Sequence, residues 1–124
     1  MFEEEKLKEA KYFFNRMKIV KNNIEYFHYE LSAFLSAASS ILRYCLKKEQ
    51  EKTGKQRWYN IHISANNILK FFWEKRYLTV HSDDSVISYF GDWTGKENII
   101  ELSEKYIIEL ERLIEDGREK GILT

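Results

Sequence analysis

No proline interrupts this chain of 124 residues. Roughly 5% would be ordinary in a globular sequence, and proline breaks helix interiors. Its absence turns the sequence toward helices, and the apolar spacing points the same way. Ile24, Phe27, Leu31, Phe34, Ala38, Ile41 and Cys45 alternate three and four residues apart. Leu35 and Leu42 widen that stripe to the breadth of a bundle core. The centre of the stretch, SAFLSAASS, is rich in small side chains, which let another helix approach closely from this chain or from a second copy.

Other segments repeat the pattern. A first helix is expected from about Glu3 to Val20, with Leu7, Ala10, Phe14 and Met17 on one face. In KNNIE, Asn22 or Asn23 can cap the next helix and Glu25 can complete a capping box. Gly54 ends that second helix after a lysine-rich stretch suited to the negative end of its dipole. Residues 56–81 read as mostly helical with an interruption near Ser64, and Trp58, Ile61, Ile68, Leu69, Phe72, Trp73 and Val80 form the apolar side. Residues 82–97 are the longest non-periodic stretch. The last helix restarts at NIIE, with Asn98 as cap and Glu101 as box partner, and Ile99, Leu102, Tyr106, Leu110 and Leu113 carry it to Gly117. Four amphipathic helices joined by turns predict an all-α, up-and-down four-helix bundle, a single domain over residues 1–124.

The formal charge is zero, but it is unevenly spread. Residues 43–81 hold nine Lys/Arg against three Asp/Glu, whereas residues 82–124 hold five against eleven. A basic surface for a polyanion such as RNA is one reading, and mutual balancing between bundled helices is the other. Cys45 is the lone cysteine, which excludes an internal disulfide and a cysteine-based zinc site. The start, MFEEEKLKEA, lacks a basic-then-apolar signal, and no apolar run nears the roughly 20 residues of a membrane span. A cytoplasmic location without membrane association is the expectation.

Two arginine–histidine pairs with matching spacing invite a chemical reading: Arg57 with His62, and Arg76 with His81. Imidazole exchanges a proton near neutral pH, and guanidinium can hold the charge that builds on a pentacoordinate phosphorus. On RNA the attacking group is the substrate's own 2′-hydroxyl, which needs no metal. Such pairs arise often by chance, so spacing does not choose between the two. The plain reading of Arg76 is a helix-end cation paired with Glu74, Asp83 or Asp84, and of His81 a helix cap. His28 is expected as a packing histidine and Cys45 as inert core, while Ser39 and Ser40 lack a nearby base. Trp58, Tyr59 and Trp93 could stack on bases, although such aromatics usually belong to a core. His28, His62 and His81 never fall at metal-binding helical spacing, and no glycine-rich phosphate loop is present, so no cofactor or metal is implied.

The stretches FHYELSAFLSAASSILRYCLKKE, LKFFWEKRYLTVH and YFGDWTGKENIIELSEKYIIELERLIE resemble the small bacterial HEPN-like helical proteins. The likeness covers nearly the whole chain and rests mainly on apolar helix patterns. That family's mark is an arginine followed, after four to six residues, by a histidine at the end of the third main helix. Arg76 and His81 occupy that place, and Arg57 and His62 lie too early. The resemblance implies a homodimeric ribonuclease, toxin-like or defence-like, with Arg76, His81 and the adjacent Tyr77 as its catalytic group. Active members often carry Asn, Asp or His where this chain has Tyr77. It also implies a separate partner, an antitoxin or a nucleotidyltransferase, since neither is encoded here. The alternative is a non-catalytic helical module that dimerises and binds a protein or nucleotide. Five residues along a regular helix is about 140° of rotation. Arg76 and His81 therefore share a site only if the helix unwinds or a second subunit contributes.

Overall fold

Helix α1 (Phe2–Ile19) presents Ala10, Phe14 and Met17 to the interior, as their spacing requires. A short turn leads to α2 (Ile24–Thr53), the longest helix at 30 residues, or about 45 Å. Asn23 caps it, its side chain accepting the Tyr26 N–H at 3.1 Å. Glu25 then stands one position too early for a capping box and instead accepts the Tyr29 hydroxyl at 2.8 Å. At the other end Gly54 adopts a left-handed φ of 69° and donates its N–H to the Gln50 carbonyl, the conformation glycine adopts without a Cβ penalty.

The computed structural model describes residues 1–74 and 95–123. Among them it is all-helical, without a strand, and the helices number five rather than four. The difference arises at Asn66, two residues beyond the expected interruption at Ser64. There α3 (Arg57–Ala65) gives way to α4 (Asn67–Glu74). The Asn66 side-chain oxygen accepts the N–H groups of Ile68 and Leu69, both at 3.0 Å, so it caps α4. Its amide nitrogen donates to Glu109 at 2.8 Å. The final helix, α5 (Gly95–Glu119), begins three residues before Asn98, which therefore lies inside the helix and not at its cap.

Helix directions follow from cross-contacts. Glu3 meets Arg118 and Lys11 meets Glu111, so α1 and α5 are antiparallel. Asp116 meets α3 near Trp58, while Phe72 of α4 stacks on Tyr106 with ring centroids 4.0 Å apart, so α3 and α4 also run against α5. Phe34 of α2 completes this aromatic centre, edge-on to Tyr106 at 6.1 Å and tilted against Phe14 at 6.2 Å. Ala37, Ala38 and Ser39 are buried in the chain's own core, so the small residues of α2 serve packing within one protomer.

Two ends result. At the near end the start of α1, the close of α2, the start of α3 and the close of α5 come together. The far end holds the α1–α2 turn, the end of α4 and the beginning of α5. Phe2 stacks on Tyr44 at 4.7 Å, so the last two turns of α2 project past α1 at the near end. That overhang is covered by α3 and by the tail of the chain. Gly121, at φ 74°, forms a Schellman turn: the Ile122 N–H reaches the Gly117 carbonyl at 2.8 Å and the Gly121 N–H reaches that of Arg118 at 3.1 Å. Gly117 does not stop α5. It is the point of close approach, where a Cβ would stand 2.8 Å from Leu123 and 3.1 Å from Trp58.

Candidate functional site

Arg76, Tyr77 and His81 lie outside the described residues, as do Val80, Asp83, Asp84, Tyr89, Phe90 and Trp93. The described part of α4 reaches Glu74, two residues before Arg76 in the sequence. The second pair, Arg57 and His62, is described in full and lines a groove of about 560 Å³ at the near end.

The groove is built around two carboxylates. Glu49 continues the α2 stripe one step beyond Cys45 and is buried. Its two oxygens accept the N–H groups of Trp58 at 2.8 Å and Tyr59 at 2.9 Å. These are orphan donors of the first turn of α3, which has no acidic residue of its own there. Gln56, at the N-cap position, makes no side-chain capping bond. A carboxylate on another helix thus does the capping.

The second carboxylate, Asp116, joins three elements. Its Oδ2 accepts the Trp58 indole N–H at 2.7 Å and lies 2.8 Å from His62 Nε2. Its Oδ1 accepts from Lys120 at 2.6 Å. These partners, the Lys120 bond first and then Trp58 and His62, hold its pKa down at about 2. Asp116 is therefore ionised at neutral pH. His62 also leans on Trp58, with ring centroids 5.3 Å apart. Lys52 donates to the Gly121 carbonyl and pins the tail against α2.

Apart from Thr53, the remaining lining is apolar or cationic. Ile61, expected in the core, is 54% exposed because α3 turns Trp58, Tyr59 and Ile63 inward instead. Ile122, itself buried, also lines the groove, with Lys55, Arg57 and Lys120 completing the wall. Beside the groove, Glu3 is buried at the start of α1, and one of its oxygens receives Arg118 at 3.1 Å. Its Oε2 has no hydrogen-bond partner among the described residues. Arg118 also bonds Glu4 at 2.8 Å.

Other sequence candidates resolve into structural roles. Ser39 and Ser40 both donate to the Ser36 carbonyl, bonding back to their own helix. Cys45 is fully buried, and desolvation pushes its thiol up to about 12, the condition of an inert core thiol. His28 is half-buried and edge-on to Tyr29. Trp58 and Tyr59 belong to the core. Among the described residues no group of three or more His, Cys, Asp or Glu is placed to hold a metal ion, and no helix is long and apolar enough to cross a membrane. Neither Glu49 nor Asp116 was a candidate from sequence, because, Lys120 apart, their partners lie 9 to 58 residues away along the chain.

No protein-family model, curated protein or solved structure matches the chain.

Proposed function

We propose that this chain is a metal-independent endoribonuclease of the HEPN type, a toxin-like or defence-like cytoplasmic protein. Two copies pair so that Arg76 and His81 of each line one groove. The reading takes α3 and α4 together as the third arm of a four-arm bundle. One observation carries it: of the two arginine–histidine pairs, the earlier has its imidazole committed to Asp116, itself shared with Trp58 and Lys120. That leaves the RYLTVH pair, which starts two residues after Glu74 in the sequence, where the HEPN resemblance expects it.

In this mechanism one His81 removes the proton from a ribose 2′-hydroxyl, and that oxygen attacks the adjacent phosphorus. The Arg76 guanidinium holds the charge of the pentacoordinate state. The partner copy's imidazole, protonated, gives its proton to the departing 5′-oxygen. The products are a 2′,3′-cyclic phosphate and a 5′-hydroxyl, and the two histidines exchange protonation states. Tyr77 supplies a hydrogen-bond donor beside the arginine.

The purified chain is expected to elute as a dimer and to cut single-stranded RNA in EDTA, leaving cyclic-phosphate ends. His81→Ala should lower cutting by at least about 100-fold, the lower range for a placed acid or base, with an unchanged circular dichroism spectrum. RNA left intact by the wild-type dimer overturns the proposal. That outcome favours the second reading, a non-catalytic HEPN-like module that binds a nucleotide or a separate antitoxin or nucleotidyltransferase. The observation favouring it is Tyr77, where active members often carry Asn, Asp or His.

A further inference from the structure

We infer that the near-end groove is a binding site for a small amphipathic anion, an aliphatic body with a carboxylate head. The body rests on the exposed Ile61, beside the buried Ile122, and the head is held by Lys55 and Arg57. This inference is independent of the ribonuclease reading, because none of these residues belongs to the RYLTVH segment.

The charge balance of the wall decides the sign of the ligand. Both acidic groups at the site are used: Glu49 by the N–H groups of Trp58 and Tyr59, and Asp116 by Trp58, His62 and Lys120. Lys120 spends its charge on Asp116. Lys55 and Arg57 are both exposed, and neither ammonium nor guanidinium has an acidic partner among the described residues. Two cations thus face a groove whose anions are already bound internally, and a carboxylate complements them with charge-assisted hydrogen bonds.

The shape of the wall decides the rest of the ligand. About 560 Å³ falls within the range of small-molecule sites and is too small for a folded partner. Ile61 is 54% exposed at its rim, an aliphatic surface open to an aliphatic body. A nucleobase fits less well. Trp58 is 8% exposed, and His62 leans on it, so the indole offers little face for stacking. Asp116 acts as a positioning residue, fixing Trp58, His62 and Lys120 in the wall.

The test is titration of the full chain with decanoate below its micelle concentration, followed by calorimetry and by the indole N–H resonance of Trp58. Decanol and adenosine monophosphate serve as the uncharged and the nucleobase arms. Decanoate is expected to bind and to move the Trp58 resonance. Arg57→Gln and Lys55→Gln, both at exposed positions, should each weaken it about tenfold, with the circular dichroism spectrum unchanged. Decanol should bind at least about tenfold more weakly than decanoate. Absence of binding at millimolar decanoate, binding indifferent to both substitutions, an unmoved Trp58 resonance, or tighter binding of the nucleotide each overturns the inference.

Discussion

The near and far ends of the bundle solve the same problem, the closing of helix termini, by opposite means. At the near end the polar contacts are long-range: Glu49 to α3, Asp116 to Trp58 and His62, Arg118 to Glu3, and Lys52 to Gly121. At the far end the hydrogen bonds of the α1–α2 turn are local, as in Asn23 to Tyr26 and Glu25 to Tyr29, and the helices there are tied by an ion pair between the partly exposed Arg16 and Glu30 at 3.7 Å. Apolar side chains there are open, Ile19 at 70% and Ile24 at 54%. Buried polar groups are costly unless fully bonded. The near end is therefore the more sensitive to single changes, and the far end the more free to meet another surface.

The strongest way to break this contrast is Glu49→Ala. It leaves the Trp58 and Tyr59 N–H groups without their acceptor in a buried site, and a loss of about 3 kcal/mol in urea unfolding is expected. Glu49→Gln keeps one acceptor and should lose roughly half as much. A loss below about 1 kcal/mol for the alanine variant would remove the near end's special status.

A smaller effect is expected from acid. Asp116 has a depressed pKa, about 2 against an ordinary 3.8. Its ionised contacts therefore stabilise the fold above about pH 4, and that contribution is lost as pH falls through about 2. Asp116→Asn should flatten the stability profile between pH 4 and pH 2, measured by thermal unfolding. An unchanged acid limb in the variant would show that other carboxylates govern it.

The smallest effect belongs to the far end. Ile24→Ser should change monomer stability by less than about 0.5 kcal/mol. A melting temperature that rises with protein concentration in the wild type and loses that dependence in Ile24→Ser would instead mark the far end as a contact between copies.

The helices were legible because their apolar stripes are long. Ala10, Phe14 and Met17, the α2 series from Phe27 to Cys45, and Ile99, Tyr106, Leu110 and Leu113 are all buried as their spacing requires, whereas Ile24, placed first in the α2 stripe, is exposed at the helix start. What stayed hidden were charges at core positions. Glu49 extends the Ile41–Cys45 stripe by four residues, and Glu3 lies four before Leu7. A charge at such a place reads as the end of a stripe, and only the folded chain reveals its partner. Gly117 misleads for a related reason. It is glycine because Leu123 and Trp58 leave no room, and a local reading takes it for a stop. Ile61 was assigned to the core from composition, but α3 spans nine residues, too few for its buried face to be read from periodicity. The catalytic assignment to Arg76, Tyr77 and His81 rests on sequence, since those positions fall outside the described residues.

Asn66 carries one last implication. Its oxygen starts α4 and its nitrogen ties that start to Glu109. Hydrolysis of this amide to aspartate, a slow chemical ageing of the polypeptide, would leave the oxygen's task intact while setting two negative groups face to face. The helix would survive, but its lateral anchorage to α5 would turn into repulsion, so a single lost ammonia could detach the arm that leads toward the RYLTVH segment.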